Sequence, residues 1–143
     1  MTQKLQAYLA AVLTTYVSGT IMISQGNIEQ IIELGYPVGI AERFDSAWHD
    51  FLHMYDLYLP IVAVALLIAF LFTGLLLLRF IKRPQILYPL AGFVALITVH
   101  VILYIVFEMN PVAPTREISG MLGQGVAGLL GGLAFLKLSA RAS

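Results

Sequence analysis

The sequence predicts an all-α integral membrane protein: a bundle of four transmembrane helices with an extra amphipathic helical segment outside, between spans one and two. Of its 143 residues, 59% are hydrophobic and 11% are charged, which is too apolar for an ordinary water-soluble domain. Four runs of about 20 residues contain no charged side chain and are long enough to cross a hydrocarbon core of about 30 Å. These runs are residues 5–24, 57–78, 87–107 and 118–136, within a single membrane domain that covers 1–143.

The charged residues separate into two groups, and this separation predicts the topology. Six of the eight basic residues lie near the chain ends or between spans two and three, namely Lys4, Arg79, Lys82, Arg83, Lys137 and Arg141. All eight acidic residues lie on the opposite connections, where Arg43 and Arg116 are the only basic ones. Because Lys and Arg favour the cytoplasmic side of a membrane, we expect a multi-pass protein of the bacterial cytoplasmic (inner) membrane. Both termini would be cytoplasmic, and residues 25–56 would be external.

Small residues recur at every fourth position in spans one and four. Span one carries the row Ala7, Ala11, Thr15 and Gly19. Span four carries two rows, Ser119, Gly123, Ala127 and Gly131, and Gly120, Gln124, Gly128 and Gly132. Such rows let another helix backbone approach closely. Two interpretations stay open: packing within the bundle, and an interface of a homo-oligomer or larger membrane complex through residues 119–132.

The other two spans and the start of span four have recognisable features. Spans two and three are rich in Leu, Ile, Val and Phe and are predicted to face the lipid bilayer. Pro60 and Pro89 are placed in their first turns, where a missing N–H does no harm. A short basic turn joins these spans, which predicts that they are antiparallel neighbours. Thr115 is predicted to cap span four.

The long connection 25–56 is predicted to form two further helical segments. Asn27 is expected to cap a short helix that ends at Gly35 and lies flat on the membrane surface. Helical periodicity returns from about Ala41 and runs toward span two. The chain then either bends at Pro60 or begins a new helix near Asp56.

This second segment carries the most informative pattern in the chain. Glu42, Asp45, His49, His53 and Asp56 recur at helical spacing and share a sector of roughly 80° at about 100° per residue. Imidazole and carboxylate groups are common ligands of zinc, copper(II), nickel, manganese and iron(II). His49 and His53 lie one turn apart, and Asp45 would complete a three-ligand metal site. The excess of acidic residues outside would also attract cations.

The remaining metal ligands and the alternatives to a metal site are also open. Further ligands or outer-shell groups could come from Glu42, Asp56, Glu108 or Glu117, or from another subunit. The same pattern fits a solvated polar face of an amphipathic helix on the membrane. It also fits proton exchange or pH sensing by the two histidines.

A second candidate site lies inside the predicted bundle. His100 lies about eight residues before the end of span three, with Tyr104 on the same face and Gln124 in span four. Polar groups at that depth usually face the bundle interior and often have a function. Three interpretations stay open: a neutral histidine hydrogen-bonded within the bundle, a site for a quinone or other hydrophobic ligand, and a haem ligand, which would need a second ligand at similar depth.

Several classes of function are excluded or disfavoured. The chain has no cysteine, which rules out disulfides, thiolate metal sites and cysteine nucleophiles. It has no phosphate-binding glycine loop, nucleophile elbow or dinucleotide fingerprint, so an enzymatic activity is not favoured. Its one basic cluster is a short turn, so no nucleic acid partner is expected.

The favoured function is therefore binding of a cation, in particular a divalent transition metal, at the outer mouth of the bundle. Such binding would serve transport, sensing or a metal-dependent membrane complex. The first alternative is a non-catalytic accessory or structural subunit of a larger membrane assembly. The second is a quinone- or lipid-handling membrane enzyme or redox subunit.

Overall fold

The computed structural model describes residues 2–108 and 113–140, and all regular structure in that part of the chain is helical. The helices are α1 (Thr2–Glu33), α2 (Ile40–His53), α3 (Tyr58–Phe72), α4 (Leu78–Phe80), α5 (Pro84–Phe107) and α6 (Ile118–Ala140). A π-helical turn, Thr73–Leu77, joins α3 to α4, and a 3-10 turn, Ala113–Arg116, precedes α6. Four helical stretches are long and apolar enough to cross a membrane: Gln3–Glu33, Tyr58–Phe80, Pro84–Phe107 and Ile118–Ala140. The predicted all-α class and the four apolar helices are confirmed.

The first helix is longer than predicted. α1 continues without a break to Glu33, so the separate short helix capped by Asn27 is wrong. The extension is stabilised by tertiary packing, because Ile28 is buried and Gly26 lies against Pro114 before α6. Gly35 follows the end of the helix as predicted, with the left-handed φ of 91° that glycine tolerates best.

The α2 helix is a separate element between α1 and α3. It begins after Gly39, whose backbone N–H donates to Oε2 of Glu42 at 2.7 Å. It ends at His53, and the next helix begins at Tyr58. The alternative of a new helix near Asp56, rather than a bend at Pro60, is therefore correct.

Two predicted helix starts are displaced. Thr115 does not cap span four, because it lies in the preceding 3-10 turn and α6 begins at Ile118. The carbonyl of Glu117 instead accepts the first helical hydrogen bond, from the Met121 N–H at 3.1 Å. Pro89 is not in a first turn, because α5 already begins at Pro84. Pro84 takes the first-turn position of α5 that was predicted for Pro89.

The glycine-rich α6 lies at the centre of the bundle. It packs along both α1 and α5, whereas α3 lies at the periphery against α5 and α1. In the most apolar 18 residues of the second and third spans, only 22% and 17% are buried, against 50% in α1. These two spans are thus the most exposed, in agreement with their bulky composition.

Both small-residue rows of α6 are used for packing within the chain. A Cβ atom on Gly128 would overlap the carbonyl oxygen of Gly92 in α5, and one on Gly131 would overlap the Thr15 hydroxyl in α1. Gly132 lies equally close to the backbone of α5 at Tyr88. Because these positions are covered inside the chain, an oligomer would have to use other surfaces, and oligomer formation stays a prediction.

The antiparallel helices sort the charged residues to opposite ends of the bundle. At one end lie α2, the end of α1 and the start of α6, with most of the acidic residues; we call it the acidic end. At the other lie the start of α1, the α4–α5 connection and the end of α6; we call it the basic end. Arg141, predicted for the basic end, lies outside the described residues.

Substituting glycines in α6 tests the packing. Gly128→Ala should destabilise the protein by about 1–3 kcal/mol, because the added methyl group meets rigid backbone. Gly123→Ala is a matched control, because its Cβ would meet only the Met22 sulfur at 3.5 Å. The control should be neutral or slightly stabilising, since alanine favours a helix by up to about 1 kcal/mol over glycine. Thermal unfolding in detergent measures both, and equal losses would contradict the assigned contact.

Candidate functional site

The α2 helix is held against α1 by polar contacts that fix its rotation. The Arg43 guanidinium donates to Oε1 of Gln25 at 2.9 Å, and the amide of Gln25 donates back to the Arg43 carbonyl at 3.3 Å. The Ser24 hydroxyl donates to that of Ser46 at 2.9 Å. These residues lie on one side of α2, so the other sides point away from α1.

Deeper contacts join the end of α2 to the core. The Tyr16 hydroxyl of α1 donates to the Phe51 carbonyl at 2.5 Å, and the two rings pack with centroids 5.5 Å apart. The Tyr16 ring also packs on Tyr58 at the start of α3. These aromatic contacts connect the acidic end to Tyr58 in the interior of the bundle.

The predicted polar residues lie on the exposed side of α2, with one exception. Glu42, Asp45, His49 and His53 are all exposed and lie within the helix. Asp56 is also exposed but lies in the turn after α2, so it does not continue the helical face. We call Glu42, Asp45, His49 and His53 the polar row.

Within the polar row, the two histidines contact each other. Their rings stack with centroids 4.1 Å apart and an angle of 17° between the planes. Nδ1 of His53 lies 2.8 Å from the backbone oxygen of His49. A carbonyl oxygen can only accept, so Nδ1 of His53 carries the hydrogen, and the neutral ring has its lone pair on Nε2. Nδ1 of His49 lies 3.6 Å from Oδ1 of Asp50.

The other predicted ligands are not gathered around the histidines. No group of three or more His, Asp or Glu side chains close enough to hold an ion occurs among residues 2–108 and 113–140. The Glu42 carboxylate accepts a hydrogen bond from the Gly39 N–H at the start of α2. Glu117 lines a small crevice of about 70 Å³ with Glu29 and Glu33, and Glu108 follows the end of α5. The set of Asp45, His49 and His53 therefore stays a prediction.

Inside the bundle, Gln124 joins the helices. Its amide nitrogen donates to the Gly19 carbonyl of α1 at 3.2 Å, and its Oε1 accepts from the Tyr58 hydroxyl of α3. The third neighbour is His100 of α5, with which the amide also interacts. Residues from all four long apolar helices thus meet at one buried amide. We call Tyr58, His100 and Gln124 the polar cluster.

His100 is the least satisfied member of this polar cluster. Its side chain is 1% exposed, and neither ring nitrogen has a hydrogen-bond partner of good geometry among the described residues. Gln124 is close enough to interact with His100, but the hydrogen bonds of its amide with good geometry go to Gly19 and Tyr58. The His100 side chain faces the bundle interior, and its role as a ligand stays a prediction.

Tyr104 does not join His100 and Gln124, contrary to the prediction. Its side chain is 55% exposed and lines an open crevice of about 640 Å³ beside Arg116. Residues four apart lie near the same face of a helix, so rotation alone does not separate Tyr104 from His100. The residues of α5 after His100 are almost all exposed, so Tyr104 lies beyond the part of α5 that packs against its neighbours.

Sequence reasoning missed Tyr58 and Tyr16. Both hydroxyls bond across helices, Tyr58 to Gln124 and Tyr16 to the α2 backbone. Tyrosines near membrane boundaries are common as interfacial anchors, so the sequence offers no signal that these two point inward. Which polar groups meet depends on the relative positions of the helices along the bundle axis.

No protein-family model, curated protein or solved structure matches this chain. The class of protein is therefore defined by its fold and surface. It is an all-helical chain with four apolar helices of membrane-spanning length. An amphipathic helix with a stacked histidine pair lies at its acidic end.

Two substitutions in the polar cluster test the contribution of its hydrogen bonds to stability. Gln124→Leu should lower the free energy of unfolding by about 1–3 kcal/mol, because it leaves the buried Tyr58 hydroxyl without its partner. His100→Leu should leave stability unchanged or raised, because it removes an unsatisfied polar ring. Thermal unfolding in detergent compares the two. A large loss for His100→Leu would show that His100 has a bonding partner in the bundle.

Proposed function

We propose that this protein reversibly binds a divalent transition metal ion through His49 and His53 at the extracytoplasmic surface of a bacterial inner membrane. The observation that carries the proposal is the stacked histidine pair on an exposed face of α2. The hydrogen bond from Nδ1 of His53 to a backbone carbonyl leaves Nε2 available for a metal. Metal-binding histidines are commonly oriented by this kind of contact.

Two imidazoles and water make an open coordination site rather than a closed structural one. Asp45 lies one turn before His49 on the same face and supplies a third ligand when its exposed carboxylate turns toward the ion. An open, exposed site exchanges its ion readily, which suits transport or sensing better than structural support. Nitrogen ligands favour copper(II), zinc or nickel over manganese.

The charge around α2 supports a cation as the ligand. All eight acidic residues lie on or beside the connections that the proposal places outside, with Arg43 and Arg116 as the only basic ones there. Such a surface raises the local concentration of cations. Because the polar row is exposed, this long-range contribution should weaken as salt increases.

Metal titration tests the proposal. The wild-type chain in detergent should bind about one equivalent of Zn²⁺ or Ni²⁺ at neutral pH, with affinity falling below about pH 6.5 because protonated imidazole cannot ligate. His49→Ala combined with His53→Ala should abolish this binding. His100→Leu, which removes the third histidine, should not. If the wild-type chain retains less than about a tenth of an equivalent, the polar row is only a solvated face.

A gain-of-function variant isolates the role of Asp45. Asp45→His places a third imidazole one turn before His49, and the affinity for Ni²⁺ should increase. Glu42→His is the control, because its carboxylate is engaged at Gly39 rather than beside the histidines. Equal effects of both variants would show that Asp45 has no special position relative to the pair.

Cysteine labelling tests the topology, since the chain contains no native cysteine. A membrane-impermeant maleimide added to intact cells should label Tyr36→Cys, in the exposed connection between α1 and α2. It should label Gln85→Cys, at the exposed start of α5, only after the cells are permeabilised. The reverse pattern would place α2 in the cytoplasm.

A second candidate function is an accessory subunit, and the groove between α3 and α5 favours it. This groove has a volume of about 440 Å³ and an apolar lining, in which Ala65 and Ala69 of α3 and Ala91 and Ala95 of α5 lie among larger residues such as Phe72 and Leu90. Small residues allow a partner helix to approach closely. A photo-crosslinker at Ala91 in native membranes should then give a discrete protein adduct, and one at the exposed Val64 should not. Lipid adducts alone at both positions would contradict this role.

A further inference from the structure

A row of large apolar side chains on α2 is exposed, and the ring contact that it makes among the described residues is within the helix, where Trp48 stacks on Phe51. Ile40, Phe44, Trp48 and Leu52 recur every fourth residue and are 76%, 72%, 63% and 44% exposed. We call them the apolar row. A contiguous apolar patch of this kind on a protein surface marks an interaction site.

The apolar row, the polar row and the anchored side of α2 point in three different directions. At about 100° per residue, the apolar row lies about 120° around the helix from the polar row. The side anchored by Arg43 and Ser46 lies between them on the remaining arc. Because the anchors fix its rotation, α2 cannot bury the apolar row against its own bundle.

We infer that the apolar row inserts into the lipid bilayer at the boundary between headgroups and acyl chains, so that α2 is an interfacial helix beside the bundle. If the polar row faces water, the fixed geometry turns the apolar row toward the membrane. The inference rests on the membrane insertion assumed in the proposed function, but it does not require metal binding.

Two further observations favour lipid over a protein partner. The apolar surface continues past α2 through Leu57, which is 66% exposed, to exposed residues of α3 such as Val64. A helix that lies in the interface continues the lipid-facing surface of the adjacent span. The row also contains Trp48, and Tyr55 beyond it is 60% exposed. Both residue types are enriched at the membrane interface.

The single tryptophan of the chain makes the inference directly measurable. The full-length protein is reconstituted in phosphatidylcholine vesicles with a metal chelator present, and Trp48 fluorescence is recorded. Phosphatidylcholine brominated on its acyl chains near the headgroup should quench Trp48 strongly. Acrylamide, which stays in water, should quench it weakly, and the emission should be shifted to the blue relative to tryptophan in water.

A variant with the tryptophan moved to the polar row is the matched control. In Trp48→Phe combined with Asp45→Trp, the order of the two quenchers should reverse, because position 45 faces water. Equal circular dichroism of both proteins establishes that the helices are retained. Stronger quenching of Trp48 by acrylamide than by brominated lipid would overturn the inference. Weak quenching by both would also overturn it, because it would mean that protein covers the apolar row. Since chelator is present throughout, failed metal binding leaves this result unaffected.

Discussion

The contact of α6 with both α5 and α1 through glycine is the constraint on which the rest of the structure depends. At Gly128 and Gly131 there is no space for a Cβ atom, because the Gly92 backbone lies against the first and the Thr15 hydroxyl against the second. Helix association in a membrane gains little from the hydrophobic effect, and close packing supplies most of the attraction. This contact places α6 at the centre and leaves α3 at the periphery, where two bulky spans expose most of their surface.

The same contact brings the polar cluster together. Gln124 lies on α6 one turn before Gly128, so the close approach holds its amide within reach of Gly19 on α1 and Tyr58 on α3. Each bond satisfies a polar group that is buried inside the bundle. Among the described residues, neither ring nitrogen of His100 has a hydrogen-bond partner of good geometry. A buried, unsatisfied ring is unusual enough to mark His100 as the residue inside the bundle whose role is least explained by stability.

At the acidic end, the 14 residues of α2 present three chemically different sides. One side bonds to α1, a second carries the stacked histidines, and a third is apolar. Because the first side is fixed by Arg43 and Ser46, the directions of the other two are fixed as well. The proposed metal site and the proposed apolar anchor are therefore compatible within one helix. The anchor would hold the histidine pair at a constant height above the bilayer.

The sequence by itself determined the features that depend on composition and on local periodicity. It predicted four apolar helices, the glycine rows of α6, a helix end at Gly35 and a further helix from about Ala41 with Glu42, Asp45, His49 and His53 on one face. Each of these follows from hydropathy, from residue size or from the repeat of a helix, which need no knowledge of neighbours. Tertiary structure decided everything that depends on register between helices. It extended α1 past Asn27, separated Asp56 from α2 and turned Tyr104 outward. It also brought Tyr58 and Gln124 together from positions 66 residues apart, because a bond across helices depends on their relative heights and rotations, which no local pattern encodes.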